Sequence, residues 1–291
     1  MKNRAILIIS VLAIAALSSA GFIRSRAGTT ATMSIQYNKR DLTADGIHIV
    51  TPADVEFDDL ARRHFRKSVP ASLKPFSVFV ENLSDRTLVA YVLTWRFANV
   101  HGQMTEKAIN YSEPDILTGD DLQMPPGTKN GSAIPPRTVR SFDWQSQILD
   151  DASLNQKQTA TRQKISSLLS GATDVTVTLD GAVFDDGTAV GTNAVFFQQM
   201  QAIVNAKIDL LREVAESHKQ GKVDQALESI RAKAQQPEVQ FSGEFSADEL
   251  YRSLQRTYAM EIANGLNRYE KRKMVDNLIA AHGRSRPIHQ K

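Results

Sequence analysis

The strongest constraint on the fold is the stretch FSVFVENLSDRTLVAYVLTWRF, Phe76 to Phe97. Phe76, Val78 and Val80 alternate with Ser77, Phe79 and Glu81. Beyond the polar run Asn82 to Arg86, Leu88, Ala90, Val92 and Thr94 alternate with Val89, Tyr91, Leu93 and Trp95. A period of two sends successive side chains to opposite faces of a strand, and β-branched and aromatic residues suit that pleated surface. Two such runs joined by a short polar segment predict a hairpin. The second run is apolar on both faces, which predicts a central strand covered on each side.

Further strand signals lie at Ile47–Val50, Lys107–Tyr111 and Thr138–Trp144, with a last strong one at Asp174–Phe184. Thr51-Pro52 places a cap residue before a proline and predicts a helix to about Lys67. Pro114–Pro136, rich in Pro, Gly and Asp, reads as a long loop. Asp151–Ser170 carries Leu154, Thr161, Ile165 and Leu168 at helical spacing and reads as a helix inserted between strands. From Thr192 the period changes to 3.6. Phe196, Met200, Ile203, Leu211 and Val214 form the stripe of a long helix closed by Lys219 and Gly221, and Asn193 or Thr192 caps its start. Val223, Leu227 and Ile230 mark a second helix. Ser246–Glu249 is a capping box opening a third, whose stripe is Leu250, Leu254, Tyr258 and Ile262 and whose break is Asn264-Gly265. Met274, Val275, Leu278 and Ile279 carry the last helix to His282, with Gly283 as its stop. Glu238–Phe241 is the one strand candidate in this half.

Strands first and helices after define an α+β chain. An antiparallel β-sandwich is expected over residues 46–190, a helical subdomain over 191–283 and a basic tail over 284–291. At the other end, Lys2 and Arg4 precede the apolar run Ala5–Leu17, and Ser18-Ser19-Ala20 supplies small residues. This predicts a signal peptide over 1–20, or an uncleaved anchor over 5–23, followed by a mobile tether over 21–45. Either form puts the body of the chain outside the cytoplasm, in a secreted or periplasmic setting, with membrane contact through the anchor. The absence of cysteine excludes disulfides and thiolate metal sites.

The segments VFVENLSDRTLVAYVLTWRF, IPPRTVRSFDW and VTVTLDGAVFDDG together resemble the strand set of immunoglobulin-like β-sandwiches in uncharacterised secreted bacterial proteins. The resemblance runs from Lys74 to Gly187, and Trp95 stands where such a sandwich keeps a core tryptophan. It implies an immunoglobulin-like sandwich and says nothing of activity, because that fold hosts many functions. The cysteine pair of antibody-type domains is missing.

No nucleophile elbow, Walker loop, dinucleotide fingerprint or His-Glu-x-x-His motif occurs, and no two of the six histidines sit at i+2, i+3 or i+4. No cofactor is implied. Four Asp-Asp pairs occur, and Asp185-Asp186 in the stretch FDDGTAVG is the one weighed for calcium, against the reading that Asp and Gly make a turn there. Glu81, Glu113, Asp143 and Asp185 are conceivable members of a carboxylate pair for a hydrolase at the joint between the two parts. The formal net charge of +3 falls to +1 without Lys2 and Arg4, so no global attraction to nucleic acid is encoded. Tyr251–Lys291 nevertheless holds nine Lys/Arg against three Asp/Glu, and Glu113–Asp151 three against seven. Arg268, Lys271, Arg272, Lys273, Arg284 and Arg286 are the residues an anionic surface would meet, unless they are only a solvated helix face and an unstructured tail. The sequence thus leaves three readings. The first is a non-enzymatic binding or scaffold protein for another protein or an envelope component. The others are a hydrolase of envelope polymer with acidic residues at the joint, and an anionic-surface binder.

Overall fold

The two alternating runs form strands, but not with each other. The computed structural model describes residues 35–65, 76–119, 133–142 and 171–291. In it β3 (Val78–Asn82) lies between β2 (Ile47–Val50) and β6 (Thr138–Phe142), antiparallel to both. β4 (Leu88–Asn99) belongs to a second sheet, ordered β5 (Met104–Ser112), β4, β7 (Ala172–Phe184), β8 (Thr188–Gly191), β9 (His289–Gln290). The expected hairpin is therefore a corner at which residues 83–87 pass from one sheet to the other. Its physical reason is burial. The second run is apolar on both faces and the first presents Phe76, Val78 and Val80 on one, so stacking them face to face lets each cover an apolar face of the other.

Asn82, fully buried, holds that corner. Its amide donates to the carbonyl oxygens of Arg86, Ile134 and Pro135 at 2.7, 2.9 and 3.2 Å, and its Oδ1 accepts from Ser84 N at 3.1 Å and Ser84 Oγ at 2.6 Å. A polar side chain without exposure is tolerated because every group on it is satisfied.

The core between the sheets joins Ile47, Ile49, Val78, Val80 and Phe142 to Tyr91, Leu93, Trp95, Val177 and Leu179. Each sheet then buries its outer face under a helix. α1 (Phe57–His64) lays Phe57 and Leu60 against Val50 and Phe79, with the Phe57 and Phe79 rings 5.3 Å apart. Over the second sheet lies the first half of α3 (Ala194–Lys219), whose Phe196, Phe197, Met200, Val204 and Ile208 meet Val89, Val92 and Val183. Gly181 allows that approach, since a Cβ there would sit 2.8 Å from the Phe196 ring. The second half of α3 enters a different core. Leu210, Leu211 and Val214 pack with Leu227 and Ile230 of α4 (Val223–Ala234), Ala259 and Ile262 of α5 (Ala247–Leu266), and Met274, Val275 and Leu278 of α6 (Lys271–Arg284). One helix, about 39 Å long at 1.5 Å per residue, thus serves both halves, and Ser34–Lys291 is a single compact unit.

Sequence and structure agree on mixed α+β architecture, with six helices among the described residues. They differ locally. The end of the expected tether is β1 (Gln36–Arg40), parallel to β7. Four of its five side chains are exposed, so it carries no apolar pattern. Backbone pairing and the Lys39–Asp54 contact at 2.7 Å hold it. α1 starts at Phe57 rather than beside Pro52, because Asp54 Oδ2 accepts from Thr51 N and Oγ1 and closes a turn first. A short helix, α2 (Pro114–Leu117), stands at the start of the expected loop. Glu238–Phe241 is no strand, and the last helices run through Asn264-Gly265 and Gly283 to Leu266 and Arg284. Ser246 caps α5 by accepting from Glu249 N, but the Glu249 carboxylate turns to Ser242 instead of completing the box. The expected helix over 151–170, Asp143, and the signal or anchor segment lie outside the described residues. No helix among the described residues is long and apolar enough to cross a membrane.

Candidate functional site

The stretch FDDGTAVG is a hairpin in full. Phe184 ends β7, Asp185 to Gly187 turn, and Thr188–Gly191 return as β8. Gly187 has φ +86°, open to glycine and strained for other residues. Asp186 builds the turn. Its Oδ1 accepts from Thr188 N at 2.8 Å and its Oδ2 lies 3.3 Å from an Arg86 guanidinium nitrogen, while Arg86 rests 3.8 Å above the Phe184 ring. Burial alone would raise this carboxyl. The Thr188 backbone and hydroxyl and the Arg86 cation outweigh that and hold it below its ordinary value. Of the two carboxylates weighed for calcium, that of Asp186 is thus engaged by a peptide N–H and an arginine. No group of three or more metal-binding side chains occurs among the described residues.

Of the carboxylates considered for hydrolysis, the three among the described residues stand on different elements. Glu81 sits in the middle of the three-stranded sheet, opposite His48 and Val139. Glu113 accepts from Ala133 N at 3.0 Å after β5, and Asp185 stands at the hairpin turn.

Several residues of the basic end take part in building the fold while remaining exposed. Arg284 donates to Gly119 O at 2.6 Å, and Arg286 N donates to Leu117 O at 2.6 Å. The last residues then run back along the sheet as β9, where His289 N donates to Gly187 O and Lys291 reaches Asp45. The expected unstructured tail is a strap, with Ile288 buried beneath it. Lys271 pairs with Asp224 and so ties the start of α6 to the start of α4. That pair makes one surface of the α3–α4 and α5–α6 turns. Lys219, Lys222, Arg268, Lys271, Arg272 and Lys273 lie there, all exposed, against the carboxylates of Asp224 and Glu270, a local +4. Tyr269, 62% exposed, stands among them.

One feature escaped the periodicity. Between α4 and α5, residues 235–245 are almost wholly exposed and carry Phe241 (56%) and Phe245 (42%) on either side of Gly243. The loop is braced from inside: Glu249 accepts from Ser242 N at 3.2 Å and Oγ at 3.3 Å, and Arg256 donates to Gln236 O at 2.6 Å. Two aromatics beside a glycine, outside any period and just ahead of a capping box, are the signal a sequence reader has for it. The chain matches no protein-family model, no curated protein and no solved structure.

Proposed function

We propose that this is a non-enzymatic binding or scaffold protein working outside the cytoplasm, secreted or held in the envelope, with its contact surface on the helical half. The observation that carries the reading is the braced loop that exposes Phe241 and Phe245. Large apolar side chains in water cost free energy that a partner recovers, and aromatic residues are enriched where partners meet. The location rests on Lys2, Arg4 and the apolar run behind them. For the sandwich we infer an immunoglobulin-like arrangement. Supporting it are a β2-β3-β6 sheet facing a β5-β4-β7-β8 sheet, sheet changes after β3, β5 and β6 as well as after β1, and the buried Trp95 on β4, which lies between β5 and β7.

A photo-crosslinking residue at position 241, in cells exporting the chain, tests the function. The expected result is a discrete adduct that the same residue at Val55, 96% exposed, does not give. No adduct at 241, together with turnover of an envelope polymer by the purified chain, would replace this reading with the hydrolase.

A further inference from the structure

The loop and the basic turns lie at opposite ends of the helical half. α5 begins directly after the loop and ends directly before Arg268. Its 20 residues span about 30 Å at 1.5 Å per residue. α4 runs the same axis in reverse, from Asp224 at the basic end to Gln235 at the loop. One molecule therefore keeps these surfaces apart.

Their chemistry is complementary. Residues 235–249 hold Glu238, Glu244, Asp248 and Glu249 and no Lys or Arg. Arg252 pairs with Asp248 at 2.9 Å and Glu249 is turned to Ser242, which leaves Glu238 and Glu244 beside the two phenylalanines. At the other end Lys271 is taken by Asp224, while Lys219, Lys222, Arg268, Arg272 and Lys273 remain exposed around Tyr269. Guanidinium groups stack on aromatic faces as well as pairing with carboxylates, so an arginine-rich turn suits a surface of phenylalanine and glutamate.

We infer that the partner of the Phe241–Phe245 loop is a second copy of this chain, which receives it on the Arg268–Lys273 turn. The inference rests on the binding reading above and names its partner. A contact between two different surfaces of one chain is heterologous, so each copy keeps one free end of each kind and assembly continues as a ring or a filament.

Sedimentation of the purified full chain over a concentration series tests this. Weight-average mass is expected to rise with concentration above the 32.2 kDa of one chain and to fall back in high salt, which screens the exposed charges. Two charge reversals decide the interface. E238K/E244K makes the loop basic, and R268E/R272E makes the turn acidic. Each variant alone is expected to stay monomeric. A mixture of the two is expected to associate again, because each loop then meets a turn of opposite sign. Recovery in the mixture also shows that neither variant failed to fold.

A wild-type chain that is monomeric throughout overturns the inference, as does association that survives in either variant alone. So does a monomeric chain that adsorbs to phosphatidylglycerol vesicles through Arg268 and Arg272, since the turn then serves an anionic surface. None of these touches the broader reading, which fails only if position 241 crosslinks to nothing. An adduct at a mass other than twice the chain separates the two.

Discussion

At the residue scale, single side chains close the turns that give the sandwich its shape, and two of them are carboxylates. Asp54 accepts from Thr51 and Lys39 where β1 is tied down, and Asp186 accepts from Thr188 and Arg86 in the β7–β8 turn. Burial works against both charges. For Asp54 the Lys39 and Thr51 hydrogen bonds outweigh it, and for Asp186 those from Thr188 and Arg86 do, so both carboxyls lie below their ordinary value of 3.8 in the folded chain. A depressed acid contributes stability that is complete above its unfolded value and disappears as pH falls through its folded one. Urea midpoints measured from pH 7 to pH 2 are therefore expected to drop below about pH 4. The Asp186→Asn chain is expected to start lower at pH 7 and to lose less on acidification. Parallel curves for the two chains would deny Asp186 this role.

At the scale of elements, the strap is the part whose removal is most informative. A Cβ at Gly187 would lie 2.3 Å from Pro287 O, and one at Gly119 would lie 2.4 Å from Ala281 O. Hairpin and strap meet at Gly187, and the end of α2 meets α6 at Gly119, both at distances no side chain permits. Gly187→Ala carries two costs: a positive φ, worth about 1 kcal/mol, and a collision with the strap. Deleting residues 286–291 removes only the second. A double-mutant cycle on urea unfolding is expected to find Gly187→Ala more costly in the full chain than in the shortened one. Equal costs in both backgrounds would show that the strap does not press on the turn.

The same elements show what was legible in the sequence. Period and capping chemistry marked β4, β7 and α3 to α6, because amphipathic pattern and local hydrogen bonds are properties of neighbouring residues. Asn193 accepts from Phe196 N at 3.0 Å as its cap position requires. Pairing is not local. Nothing between Phe76 and Phe97 distinguishes a hairpin from a corner, because the choice turns on Asn82 reaching Ile134, 52 positions away. β1 and β9 carry no apolar pattern and owe their place to backbone bonds with β7 and β8. A charge count is blind to partners in the same way. Lys271, Arg284 and Arg286 weigh the same in a sum as Arg268 and Arg272, but Lys271 pairs with Asp224, the Arg284 guanidinium donates to Gly119 O, and that of Arg286 donates to Arg284 O and Ser285 O. Phe241 and Phe245 were visible as letters, but exposure is decided by what the rest of the fold leaves uncovered.

At the scale of the whole molecule, α3 decides whether strands and helices behave as one body. Met200 and Leu211 lie on the same helix eleven positions apart, yet Met200 belongs to the core over the second sheet and Leu211 to the core of the helical half. Both are almost fully buried, at 2% and 1% exposure. Truncating either to alanine is expected to cost about 2–5 kcal/mol through lost burial and the cavity left behind. If α3 couples the halves, loss of either contact lowers one shared transition. Thermal melts of Met200→Ala and Leu211→Ala are therefore expected to shift by about 5–10 °C or more, with far-ultraviolet helix signal and near-ultraviolet aromatic signal moving together in both variants. The aromatic signal reports chiefly on the sandwich, where Trp95, Tyr91 and Phe142 pack, and the helix signal on α3 to α6. A Leu211→Ala chain that loses helix early while its aromatic signal melts at the wild-type temperature would mean two bodies on one helix, and the coupling argued from α3 would fall.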